Sequence, residues 1–93
     1  MAKITLTGKL LCATPQDATL VAAHVPEHIR LTRAEPGCLH FDVAQTANPL
    51  IWDVNETFID QAAFDAHQTR TKASDWARLT ANIPRDFAIS GQA

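Results

Sequence analysis

Two residues carry the chain's clearest chemical signal. Glu56 falls between Val54 and Phe58 on an alternating stretch, so a strand there buries a carboxylate in an apolar row, and an unpaired buried charge calls for a partner. His67 supplies one. It lies on a helical stretch three residues after Phe64, on the face that Phe64 shares. Together the two make a general base: the carboxylate fixes the imidazole's tautomer and raises its basicity, and the imidazole takes a proton from a bound substrate. The same residues also admit a structural role, with Glu56 satisfying backbone donors or an arginine and His67 capping its helix.

Other side chains fit around this pair. Trp52 and Trp76, with Phe58 and Phe64, offer ring faces for a planar substrate, although tryptophans of this kind are more often core. Asn55 is a donor for a substrate carbonyl or oxyanion, yet alternation puts it on the strand face opposite Glu56. Arg70 and Lys72 suit an anionic substrate group, against the default of a solvated loop. His40 and Asp42 share a strand face and read as a solvated pair. His24 and His28 are four apart on a helix, but no nearby carboxylate completes a metal set. Cys12 and Cys38 show no CxxC spacing and read as buried free thiols.

The elements that must position these groups follow from periodicity. Ile4, Leu6, Leu10 and Cys12 alternate with polar residues, which predicts a first strand over Lys3–Cys12. Thr14 then caps a helix that starts at Pro15 and runs to Arg33, with Asp17 favourable at its N-terminus and a kink expected at Pro26. Glu35-Pro36-Gly37 stops it, glycine supplying unusual backbone angles. Strands over Cys38–Gln45, where Leu39, Phe41 and Val43 alternate with His40, Asp42 and Ala44, and over Leu50–Ile59 form a hairpin across Thr46-Ala47-Asn48-Pro49. Asp60 caps a second helix, a further helical stretch covers Thr71–Ile83 with Trp76 as its anchor, and Pro84 precedes a last strand over Arg85–Ser90. The order β-α-β-β-α-β predicts an α+β, ferredoxin-like domain with a four-stranded antiparallel sheet and both helices on one face. The other face carries Leu11, Ile51 and Ile59 among threonines, so a second copy is expected to cover it.

Bulk composition agrees. The 93 residues allow one core, read as a single domain over 1–93, because a chain of this size buries only about two-thirds of its unfolded surface. With 46% hydrophobic and 19% charged residues it is ordinary globular protein. A formal charge of -2 and scattered basic residues argue against nucleic-acid binding. No run is long enough for a membrane span and Met1-Ala2-Lys3 leads straight into a strand, so the expected location is the cytoplasm.

The stretch Glu35-Pro36-Gly37-Cys38-Leu39-His40-Phe41-Asp42-Val43, the strand end Asn55-Glu56-Thr57-Phe58 and the helix Asp60-Gln61-Ala62-Ala63-Phe64-Asp65-Ala66-His67 resemble the antibiotic-biosynthesis monooxygenase domain family. The resemblance implies a dimeric α/β-barrel with a pocket between sheet and helices in each subunit. It also implies a choice of chemistries: metal- and flavin-free oxidation of phenols or polycyclic aromatics to quinones, quinol oxidation, isomerisation of small phosphorylated molecules, or haem degradation. Thr5 and Thr7 stand where the haem-degrading branch has an asparagine, which disfavours that branch, and Arg70 and Lys72 occupy a region where many members have a second histidine. The leading expectation is a homodimeric, cofactor-independent monooxygenase that takes a small aromatic substrate and dioxygen, with His67 as base and Glu56 as its orienter. The alternatives are an isomerase of a small carbonyl compound, with Arg70 or Lys72 on the anion, and a ligand-binding or stress-associated module without turnover. In all of these the Glu-Pro-Gly-Cys turn reads as scaffold.

Overall fold

The computed structural model describes residues 3–91. Met1, Ala2, Gln92 and Ala93, and with them the ends of the expected 1–93 domain and the Met1-Ala2 start, lie outside the described residues. Along the chain come β1 (Ile4–Leu11), α1 (Pro15–Arg33), β2 (Cys38–Gln45), β3 (Ile51–Phe58), α2 (Gln61–Lys72), α3 (Asp75–Leu79) and β4 (Arg85–Ser90). The strands form one antiparallel sheet in the order β2-β3-β1-β4. This is the ferredoxin-like α+β plan that the alternation predicts. The inner face sets Ile4, Leu6 and Leu10 of β1 beside Trp52, Val54 and Phe58 of β3, all buried against Val21 and Val25 of α1 and Phe64 of α2.

Local chemistry explains most boundaries. Thr14 caps α1 by accepting a hydrogen bond from the Asp17 amide at 3.2 Å, while Asp17 accepts from the Ala13 amide, and Asp60 caps α2 through the Ala63 amide at 2.8 Å. Helix α1 runs through Pro26 without a break in its assignment. The missing N–H of proline removes a single backbone bond, and buried Val21, Val25 and His28 hold the helix on the sheet to either side of it. The expected Thr71–Ile83 helix is divided: α2 continues to Lys72 and α3 has only five residues. Ser74 separates them, donating to the Thr71 carbonyl at 2.6 Å and accepting from the Ala77 amide at 3.2 Å as the cap of α3.

Three further corrections concern β2 and the turn before it. Register shifts between Cys38 and His40, so Leu39 is bulged and half exposed instead of sharing the inner row with Phe41 and Val43. Asp42 faces Arg33 at 3.8 Å and does not pair with His40. Gly37 has no positive φ. It is needed for close approach, because a Cβ there would run into the Cβ of Ala63 on α2. That contact presses the turn against α2. Cys12 is buried and Cys38 half-buried, both as free thiols.

Candidate active site

Between the inner sheet face and the helices lies a cavity of about 350 Å³. Leu6, Leu10, Val43 and Val54 form its apolar floor, Phe41, Trp76 and Phe87 its aromatic walls, and Glu56, His67, Lys72 and Arg85 its ionisable groups. Strand alternation sends Glu56 into this space between Val54 and Phe58, and helix periodicity brings His67 down on it one turn after Phe64.

The carboxylate that grips His67 is Glu35. Imidazole Nδ1 donates to Glu35 Oε1 at 2.8 Å, and Arg70 Nε donates to the other Glu35 oxygen. Arg70 Nη2 also donates at 2.9 Å to the Thr32 hydroxyl, which itself donates to the His28 carbonyl at 2.7 Å. An ionised carboxylate only accepts, so Nδ1 carries the imidazole proton and Nε2 presents its lone pair. Thr71 Oγ1 stands 3.4 Å from Nε2 and Glu56 Oε1 stands 3.7 Å from it. The expected Glu56–His67 contact exists, but the expected orienting role belongs to Glu35, because the close Gly37–Ala63 packing brings the turn within hydrogen-bond reach of α2. A turn glutamate looks like helix-end punctuation in sequence. Only the spatial neighbour gives it a chemical role.

Glu56 has no hydrogen bond to match. Its side chain is 7% exposed and, among the described residues, Oε1 has no hydrogen-bond partner. Burial, then the nearby charge of Glu35, pushes its carboxyl up to about 7. Burial pulls His67 below the ordinary histidine range, against the opposing pull of Glu35. The site therefore holds a neutral imidazole beside a carboxyl that changes its proton near neutrality. His28 differs: buried, stacked on Trp76 at 4.9 Å between centroids, and held at about 3 by burial and then by the charges of His67, Arg70 and Arg85, it stays neutral.

Of the remaining expected residues, Trp76 lines the cavity. Phe58 packs behind His67 at 4.8 Å between centroids and Phe64 behind Phe58 at 5.7 Å, so they support the imidazole and do not reach the cavity wall. Trp52 is buried away from the cavity lining, its indole N–H without an acceptor among the described residues. Asn55 is exposed on the outer face. Arg70 turns toward Glu35 and Thr32 and borders a second recess with His24, Glu27 and Asp75. Arg85 was missed by sequence reasoning. Nothing in its place after Pro84 signals that it turns inward, although strand alternation puts it in one row with Phe87.

A ferredoxin-like sheet whose helical face encloses a small aromatic cavity with one acid–base pair defines a class of compact α+β domains. Within it, the model of the family described as antibiotic biosynthesis monooxygenase matches residues 7–79, and the chain belongs to that family. No curated protein sequence gives a match. Among solved structures, PA3566 of Pseudomonas aeruginosa is similar with a TM-score of 0.83 at 20% identity, over 100% of this chain and 96% of its own. A conserved protein of Methanosarcina mazei Go1 gives 0.78 at 22%, over 100% and 95%, and Rv0793 of Mycobacterium tuberculosis gives 0.76 at 18%, over 99% and 96%. At these identities the likeness shows a shared fold. Among the described residues, no helix is long and apolar enough to cross a membrane.

Proposed function

We propose that this protein is a cofactor-independent monooxygenase that oxidises a small phenol or quinol with dioxygen, working as a homodimer. The observation that carries the reading is the carboxyl of Glu56, without a hydrogen bond and 3.7 Å from the lone-pair nitrogen of a neutral His67, over an apolar floor and beside aromatic walls, with Lys72 and Arg85 elsewhere in the same cavity. His67 Nε2 takes the phenolic proton, with Glu35 stabilising the imidazolium from the far side. The phenolate passes one electron to dioxygen, and the radical pair couples to form a carbon–oxygen bond at the ring. Protonated Glu56 gives its proton to the peroxide. As the ring C–H proton returns to Glu56, the O–O bond breaks and hydroxide leaves, taking the proton from His67 to become water. The quinone and one water account for both oxygen atoms, and every side chain regains its starting proton. Apolar walls favour the loosely held, planar substrate that this sequence of charges requires.

The dimer is part of the proposal because half-buried Leu11 and Ile51 and exposed Ile59 lie outside the helical face of the sheet. Sedimentation at micromolar concentration tests it, and a monomer removes it. For the activity, the metal-free protein is expected to consume oxygen with members of a naphthol and hydroquinone panel and to lose that uptake in His67→Ala. A flat trace across the panel, with solvent deuterium entering a carbonyl substrate, supports proton-shuttling isomerisation by the same pair instead.

A further inference from the structure

Acid–base chemistry at one end of the cavity leaves a cation at the other end unexplained. Arg85 opens β4 opposite Leu10 of β1, and its guanidinium carbon lies 5.9 Å from the centroid of the Trp76 ring. Nη1 donates to the Thr80 carbonyl at 2.6 Å and the Ile83 carbonyl at 2.8 Å, and Nη2 donates to the Thr80 hydroxyl at 2.6 Å. These bonds fix the plane of the fork. Among the described residues, they leave Nε–H and one Nη2 hydrogen without an acceptor. Arg30, Arg33, Arg70 and Arg78 each have a carboxylate within ion-pair distance, and among the described residues Arg85 alone of the arginines does not. A half-buried guanidinium with no counter-charge is costly unless something anionic comes to it. Lys72, at the end of α2, lines the same cavity and also has no carboxylate partner among the described residues.

Strand register separates the two ends. Leu6 faces Glu56 on β3, and Leu10 faces Arg85 on β4. Four residues of strand span about 13 Å, with the apolar floor of Leu6, Leu10, Val43 and Val54 between the two ends. A volume of about 350 Å³ lies at the low end of the roughly 300–1,000 Å³ typical of ligand pockets, which favours one or two rings over a larger polycycle.

We infer that Arg85, with Lys72 at the rim, is an anion subsite, and that the substrate is a one- or two-ring phenol bearing a carboxylate. The Arg85 fork holds the carboxylate and delivers the hydroxyl to His67 and Glu56. This rests on reading the cavity as a phenol site, and it goes further by naming which phenols enter. If Arg85 served only to cap the Thr80 and Ile83 carbonyls, it would not distinguish a charged ligand from a neutral one.

Titration calorimetry under nitrogen, with 4-hydroxybenzoate and its uncharged isostere 4-hydroxybenzamide, tests the subsite without turnover. The wild-type protein is expected to bind the carboxylate about tenfold more tightly, as a charge-assisted bond allows. Arg85→Gln is expected to erase the preference, and Lys72→Met to reduce it in part. Because Arg85→Gln removes bonds that hold the loop before β4, the wild-type Arg85 Nε–H resonance gives a second readout. It is expected to shift with 4-hydroxybenzoate and to stay in place with the amide. Equal affinity for the two probes, absence of carboxylate binding at millimolar concentration, or a preference that survives in folded Arg85→Gln overturns the subsite. Carboxylate preference without oxygen uptake in the aerobic panel removes the monooxygenase and keeps the subsite; uptake with neutral naphthols and equal probe affinities does the reverse.

Discussion

The turn that carries Glu35 and the strand row that carries Glu56 set two glutamates against one imidazole, and they handle charge in opposite ways. At the turn every charge is answered: Glu35 accepts from His67 and Arg70, and Arg70 is tied on through Thr32. On β3 the carboxyl is buried among Val54, Phe58 and Phe41 with an oxygen unpartnered, and the outcome is a carboxyl that keeps its proton up to about 7. A matched ion network fixes geometry. An unmatched group gives up its charge and becomes able to exchange a proton.

Several substitutions break or sharpen this contrast. The largest effect is expected for Glu56→Gln, which should lower oxygen uptake by roughly 10²- to 10⁴-fold while the protein stays folded. An unchanged rate would make Glu56 a core residue. Next comes Glu35→Gln, which turns one accepting oxygen into a donor facing Arg70 or His67. A loss of about 2–3 kcal/mol in urea unfolding is expected, with a Tm lower by roughly 10 °C.

The third effect is on pH dependence. Glu56 has its folded pKa raised from 4.5 to about 7, so between those values the folded state binds more protons than the unfolded one, and the contribution of Glu56 to stability falls as pH rises. His28, lowered from 6.5 to about 3, acts with the opposite sign: its contribution is lost as pH falls below 6.5. Glu56→Gln should therefore match wild type near pH 4.5 and gain on it, on the order of 3 kcal/mol, by pH 7 to 8 in paired urea titrations. A constant difference would show that Glu56 is not held protonated. The smallest effect belongs to a control: Asp42→Asn removes an exposed partner of Arg33 and should cost less than about 0.5 kcal/mol in the same assay.

These regions were unequally legible in the sequence. Glu56 could be read because its position depends on strand alternation, a local rule, and His67 because helix periodicity follows Asp60, a local cap. The caps at Thr14 and Asp60 were visible for the same reason. Glu35 could not be read as the imidazole's partner, since that depends on Gly37 meeting Ala63 across the fold. Leu39 looked like an inner-row residue because alternation assumes unbroken register, and the bulge after Cys38 shifts it outward. Arg85 needed the position of the Thr80 and Ile83 carbonyls, which are set by the short α3 turn that Ser74 starts. The family assignment by motif agrees with the match over 7–79.

The central place of β1 has a consequence for how the molecule folds. The β2–β3 hairpin closes a short loop, but β1 must wait for β4, since Thr5 pairs with Ser90 and Leu10 with Arg85. Glu56 therefore enters a strand pair early, while Arg85 and Phe87 join the wall only with the most distant pairing in the sheet. A nascent or partly opened chain then has its proton-exchanging groups before it has an enclosure for them. Amide exchange should run fastest through β4, and ligand binding in the cavity would be withheld until the last strand is in place.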